Sequence, residues 1–268
     1  MENKKIAIIG CGNLGKSILN GLLKNIEIDP TEITATKRNI KTFESYQNRK
    51  FHCTTNNIEA VKNAEIIILA IKPYNILGVV KEIKNHLDSE KHTIVSLATG
   101  VSIQEIEKEL PQNISVFRAM PNTAAAVSES ITCICSNSNN EQKKKSIENI
   151  FNSIGISIFI NEELMESATV LGACGIAYVL RFIRAMIQGG IQIGFDANTA
   201  NQIVTQTVKG ASELLITNKQ HPEYEIDKVT TPKGCTIVGI NEMEHNGFSS
   251  SLIKGLMASY NDINQNKK

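Results

Sequence analysis

Lys5-Ile-Ala-Ile-Ile-Gly-Cys-Gly-Asn-Leu-Gly15 (residues 5–15) runs four apolar residues into a Gly10-x-Gly12-x-x-Gly15 loop, and an apolar helical stretch from Ile18 to Leu23 follows. Strand, glycine loop and helix in that order form the phosphate-binding turn of a dinucleotide fold. Gly10 makes the tight turn, Gly12 lets the pyrophosphate approach the backbone, and Gly15 permits close helix packing. The helix N-terminus then faces the phosphates. The loop residues Gly10, Cys11, Gly12, Asn13, Leu14 and Gly15 are therefore the first candidate cofactor contacts.

The second apolar run ends in Thr34-Ala-Thr-Lys-Arg-Asn39. A site for NAD usually carries an acidic residue here for the ribose 2′-hydroxyl. Thr36, Lys37 and Arg38 instead suit a 2′-phosphate, with the planar fork of Arg38 able to bind it at two points. NADPH is the expected cofactor, with NADH as the weaker substitute.

The same rhythm continues outward. Ile6 to Ile9, Ile33 to Thr36, Ile66 to Ala70, Ile94 to Leu97, Val116 to Ala119, Ile131 to Cys135 and Ile156 to Ile160 alternate with helical stretches. That pattern predicts an α/β fold, a doubly wound (Rossmann), mainly parallel sheet over residues 1–160. After Asn161 the strand signals stop. Ile176, Leu180, Ile183, Ile187 and Ile191 recur at helical spacing, as do Val204, Val208, Ala211 and Leu215. Asp196 is placed to cap the second of these helices, Pro222-Glu223 to start another, and Leu252 to Ile263 repeats the pattern. Residues 161–268 are thus expected to form an all-helical domain whose many apolar and small residues, Gly189, Gly190, Gly210 and Ala211 among them, mark a subunit interface.

Composition excludes several classes. The 268 residues are 41% hydrophobic with a net charge of +1, sufficient for one large or two ordinary domains. The longest apolar run, Ile66 to Ile71, is far shorter than a membrane span, and the N-terminal residues lack the pattern of a secretory leader, so a cytoplasmic protein without a membrane partner is expected. The six cysteines (Cys11, Cys53, Cys133, Cys135, Cys174 and Cys235) contain no C-x-x-C and the five histidines are scattered, which predicts reduced thiols and no metal site. Charge balance, the absence of Trp and 5% aromatic content offer no surface for nucleic acid. Lys143-Lys144-Lys145 reads as a solvated helix face.

Several further motifs fall in a fixed order behind the glycine loop: Asn57 before a helix, Ala70-Ile-Lys-Pro73, Ala98-Thr-Gly100, Arg118-Ala-Met-Pro-Asn-Thr123, Gln206-Thr207 with Gly210-Ala211, and Val229-Thr-Thr-Pro232 to Thr236. Together they resemble the pyrroline-5-carboxylate reductase family, nearly end to end. The resemblance implies NADPH-dependent reduction of the cyclic imine 1-pyrroline-5-carboxylate to L-proline, the last step of proline biosynthesis, by a homodimer or a ring of dimers. It implies that Asn57 contacts the adenosine ribose. Ala70, Ile71, Lys72 and Pro73, with Ala98, Thr99 and Gly100, would wall the cofactor, while Met120 and Asn122 border the nicotinamide.

The turn Thr230-Thr-Pro-Lys-Gly-Cys-Thr236 precedes a helix, so its free N–H groups can receive the carboxylate of a cyclic imino acid. By the same resemblance Thr231, Gly234 and Cys235 line the substrate, and Thr236, the catalytic candidate, hydrogen-bonds the ring nitrogen. An imine reductase needs no strong general acid, since the substrate nitrogen takes a proton readily and positioning supplies much of the rate.

This chain departs from the family at three places. Gly172-Ala-Cys-Gly-Ile-Ala177 stands where Ser-Gly-Ser-Gly-Pro-Ala is usual, so Gly172, Cys174 and Gly175 would line the substrate pocket with two hydroxyls missing. Lys233 replaces a glycine, where it either strengthens the carboxylate site or strains a turn of positive φ. Ala124 replaces a proline. A related imine reductase acting on another ring and a non-catalytic dinucleotide-binding paralogue therefore stay open. A β-hydroxyacid dehydrogenase is disfavoured, because Gly172 to Val179 lacks its Gly-x-x-x-Asn-x-x-Lys pattern. Cys174 and Cys235, read as lying near helix N-termini, are expected to be reactive thiols.

Overall fold

The computed structural model describes residues 4–265 except 27, 40, 42, 44, 45 and 47–49. In chain order the strands are β1 (Ile6–Ile9), β2 (Ile33–Thr36), β3 (His52–Thr54), β4 (Ile66–Leu69), β5 (Thr93–Ser96), β6 (Ser115–Met120), β7 (Ser130–Ser136) and β8 (Gly155–Phe159). They form a sheet of order β3-β2-β1-β4-β5-β6-β7-β8, parallel except where β6 meets β7. The expected mainly parallel sheet is present. β3, too short and exposed to show an apolar period, is an addition to it.

The interleaved helices are α1 (Asn13–Leu22), α2 (Asn57–Lys62), α3 (Pro73–Ile83), α4 (Ile103–Glu107) and α5 (Glu141–Asn152). Strands β1, β4, β5 and β6 are buried along their whole length because helices cover both faces. α1 packs Ile18, Leu19 and Leu22 at zero exposure, each side chain contributing about 1.5–3 kcal/mol. The sheet order turns at β1 and β4: from β1 the chain builds towards β3, and from β4 towards β8. Ligands of open α/β sheets bind outside the carboxyl ends of the strands at that switch point.

The helical half comprises α6 (Met165–Ala168), a π-helical turn over Thr169–Cys174, α7 (Gly175–Gln192), α8 (Ala197–Asn218), α9 (Pro222–Val229), α10 (Cys235–His245) and α11 (Phe248–Gln265). Asp196 caps α8 through the N–H groups of Asn198 and Thr199, and Pro222 opens α9, as the sequence predicts. The chain divides into two compact units, residues 1–176 with 260–268, and residues 177–259. Residues 162–176 belong with the sheet because a buried ionic cluster fastens them there. Arg118 on β6 reaches Glu162 at 3.0 Å and Glu166 at 3.0 Å, with Arg118 and Glu166 almost fully buried. Glu162 also accepts from the Ile103 N–H at the start of α4.

The 177–259 unit has a small core, Ile187, Ala200 and Val204 with Ile183, Met186 and Val208. It leaves Leu180, Ile193, Ile216 and Val238 more than half exposed. The segment Glu162–Gln192 is long and apolar enough to cross a membrane by length and composition alone, although polar residues interrupt its apolar runs. Lys143 departs from the expected solvated face: its ammonium donates to the Ser89 carbonyl and the Ser115 hydroxyl.

Candidate active site

The glycine loop sits at the switch point. Gly10 has φ +90, a conformation that L side chains rarely adopt, and a Cβ there would collide with Ile71 and the Ala70 carbonyl. A Cβ on Gly15 would lie 2.5 Å from the Gly10 carbonyl oxygen, so α1 can approach the turn only without one. A Cβ on Gly12 meets nothing within 4 Å. Folding therefore requires the first and third glycines, while the second borders open space, the cradle that a pyrophosphate needs. Gly12 caps α1 without a side-chain hydrogen bond, leaving first-turn N–H groups for an anion. These residues fit NADPH as the sequence reading expects.

Ala70 adjoins the loop through its N–H to the Ile9 carbonyl at 2.8 Å. Cys11 is fully buried, and burial pushes its thiol up to about 12, with the Lys37 and Lys16 ammonium groups opposing that rise. Lys16, which the motif reading passed over, thus adds a second positive charge near the loop; its position in the first turn of α1 was the available signal.

At the end of β2, the Gly10 N–H reaches the Thr36 hydroxyl at 3.3 Å, and that hydroxyl donates to Asn57 Oδ1 at 2.9 Å. Asn57 Nδ2 donates to Glu82 Oε2 at 3.1 Å. The helix cap here is Asn56, whose side chain accepts from the Ile58 and Glu59 N–H groups, so Asn57 is not committed to capping. Lys37 is half-buried and Arg38 exposed. Among the described residues neither pairs with a carboxylate, consistent with cations held for a phosphate. Lys72 precedes α3 as its cap and Pro73 opens it, and Ala98 to Gly100 follow β5, with Gly100 at φ +75.

Met120 ends β6, and Asn122, 7% exposed, follows it. Asn122 Oδ1 accepts from the Ala124 N–H at 3.0 Å, and Nδ2 donates to the Gly172 carbonyl at 3.2 Å. The expected nicotinamide border and the expected pocket segment Gly172, Cys174 and Gly175 are thereby joined. Gly172 and Cys174 lie in the π-helical turn of a helical run that has already begun at Met165, rather than at its N-terminus. The helix field invoked for a reactive Cys174 is absent there, and burial pushes its thiol up, which corrects that expectation.

Thr231, Gly234, Cys235 and Thr236 lie in the other unit. The Gly234 N–H closes the turn on the Thr231 carbonyl at 2.9 Å, and a Cβ on Gly234 would press on the Thr231 hydroxyl at 2.6 Å. Gly234 caps α10 with no side-chain hydrogen bond, so Cys235 and Thr236 open that helix beside uncommitted N–H groups. Lys233 adopts φ +63, the left-handed conformation that a glycine would accept without cost.

Two family models match the chain: pyrroline-5-carboxylate reductase dimerisation over residues 162–266, and NADP oxidoreductase, coenzyme F420-dependent, over residues 5–100. Pyrroline-5-carboxylate reductase 1 of Dictyostelium discoideum is 43% identical over 95% of this chain, which spans only 48% of that protein's length. Pyrroline-5-carboxylate reductase 2 of the same organism is 40% identical over 96% of this chain and 91% of its own. The crystal structure of Plasmodium falciparum pyrroline carboxylate reductase with NADP bound superimposes with a TM-score of 0.91 at 29% identity, covering 100% of both chains.

Proposed function

The chain belongs to the pyrroline-5-carboxylate reductase family, and from that premise we propose that it reduces 1-pyrroline-5-carboxylate to L-proline with NADPH. The observation that carries the proposal is the glycine loop at the switch point: Gly10 and Gly15 are required by contact and Gly12 opens onto space. NADPH, when bound, supplies the hydride.

The division of labour we propose assigns residues 1–160 to the cofactor and 161–268 to assembly and substrate. The loop Gly10 to Gly15 holds the pyrophosphate, with Thr36, Lys37, Arg38 and Asn57 around the adenosine ribose and its 2′-phosphate. Met120 and Asn122 flank the nicotinamide. The turn before α10 receives the substrate carboxylate on its N–H groups, and the Thr236 hydroxyl holds the ring nitrogen. Protonation of that nitrogen makes the ring carbon electrophilic, so the chain's contribution is alignment and exclusion of water.

Residues 162–266 match a dimerisation family, which supports a subunit of an oligomer whose partner chains cover the exposed apolar helices. A homodimer or ring of dimers, in the cytoplasm, is the arrangement we propose. Mixing the inactive variants Gly12→Asp and Thr236→Ala tests the assembly. Recovery of activity supports sites shared between chains, and none from a co-assembled mixture contradicts it.

A further inference from the structure

We propose that Glu82 is a specificity-determining residue for the cofactor, an acidic counterweight that limits the preference of this site for a 2′-phosphate. The proposal rests on the nucleotide-site reading above and adds a residue that neither the motif nor the comparisons assign.

The end of β2 lacks the acidic residue that usually meets a ribose 2′-hydroxyl, and Thr36 occupies the strand's last position. A carboxylate nevertheless comes within one side chain of Thr36, from Glu82 on α3 through the Asn57 amide. The hydrogen bonds run one way, from the Gly10 N–H to the Thr36 hydroxyl, from that hydroxyl to Asn57 Oδ1, and from Asn57 Nδ2 to Glu82 Oε2. An ionised carboxylate only accepts, so Glu82 dictates which end of the Asn57 amide faces Thr36. Among the described residues Glu82 has no cationic partner, and Lys37 and Arg38 have no anionic one. Among the described residues, then, opposite charges flank Thr36 and Asn57 without a protein partner to neutralise either. A ligand carrying a phosphate gains from Lys37 and Arg38 and loses to Glu82, whereas a ligand with a plain ribose hydroxyl escapes the repulsion.

Affinities of NADPH and NADH for the full chain, measured by titration calorimetry without any imine, test this for wild type, Glu82→Gln and Glu82→Asp. Glu82→Gln is expected to raise the ratio of NADPH to NADH affinity about three- to tenfold at low salt, with the gain shrinking as salt screens the charge. Glu82→Asp, which keeps the charge, is expected to hold the ratio near the wild-type value. A role confined to stability or to orienting Asn57 would shift both cofactors together and leave the ratio unchanged in Glu82→Gln. That result, or a falling ratio, overturns the proposal alone. A wild type that binds neither cofactor overturns the nucleotide-site reading and this proposal with it.

Discussion

The side-chain amide of Asn122 donates to the main-chain carbonyl of Gly172 across 3.2 Å, joining the end of β6 to the π-helical turn. π-helical turns occur often at functional sites, and this one lies where the substrate pocket is proposed. Asn122→Ala removes both bonds of a buried amide. The expected loss is about 1–3 kcal/mol of stability, with a fall in kcat/KM larger than a comparable loss elsewhere produces. Chemical denaturation and initial rates on the same preparation check both, and an unchanged kcat/KM would separate this contact from the reaction.

The three loop glycines should fail differently. Gly10→Ala places a Cβ against Ile71 and the Ala70 carbonyl at φ +90, so it should lower stability and cofactor binding together. Gly12→Asp meets open space, so the chain should fold at wild-type stability while its carboxylate repels the pyrophosphate. Melting curves with and without NADPH distinguish the two, and a destabilised Gly12→Asp would show that the cradle is not open.

Arg118→Met leaves Glu166, 4% exposed, without its guanidinium. Breaking a buried pair from one side costs about 3–5 kcal/mol, whereas replacing it by well-packed apolar residues of similar volume is often neutral. Arg118→Met should therefore unfold at much lower denaturant, while Arg118→Met with Glu166→Leu recovers part of the loss. No recovery would mean that the ionic contacts themselves hold residues 162–166 to β6.

Much of this was legible beforehand, and the exceptions have physical causes. Short continuous apolar runs disclosed the strands covered on both faces, and apolar spacing at 3.6 disclosed the long helices, because burial imposes each pattern. β3, His-Cys-Thr at the sheet edge, buries too little to leave a pattern. The turn Thr169–Cys174, expected near the start of the first long helix, carries no sequence signal of its π-helical winding. Arg118 opens one of the motifs, but its partners Glu162 and Glu166 carry no motif and become meaningful only once residues 162–166 lie on β6. Glu82 carries no motif and is found only through Asn57.

The thiols order themselves by burial. Burial pushes Cys174 up, Cys11 to about 12, and leaves Cys235 exposed. Thiolate and access together set reactivity, so the exposed Cys53 and Cys235 should alkylate before Cys174. Because the Cys174 pKa is raised by burial, its alkylation rate should keep climbing with pH above the usual thiol range. Mass spectrometry of peptides alkylated across a pH series reads the order, and Cys174 reacting first would contradict the buried placement.

The most direct measurement is NADPH consumption by the purified chain with 1-pyrroline-5-carboxylate, with proline quantified in the same vessel and the six-membered piperideine carboxylate as competitor. Loss of the two hydroxyls at Gly172 and Cys174 removes neutral hydrogen bonds worth about 0.5–1.5 kcal/mol each, so an elevated KM is expected. The predicted result is one proline formed per NADPH consumed, preference for the five-membered ring, and loss of most activity in Thr236→Ala. Faster reduction of the six-membered ring, or NADPH binding without turnover of either ring, would contradict pyrroline-5-carboxylate reduction as the function of this chain.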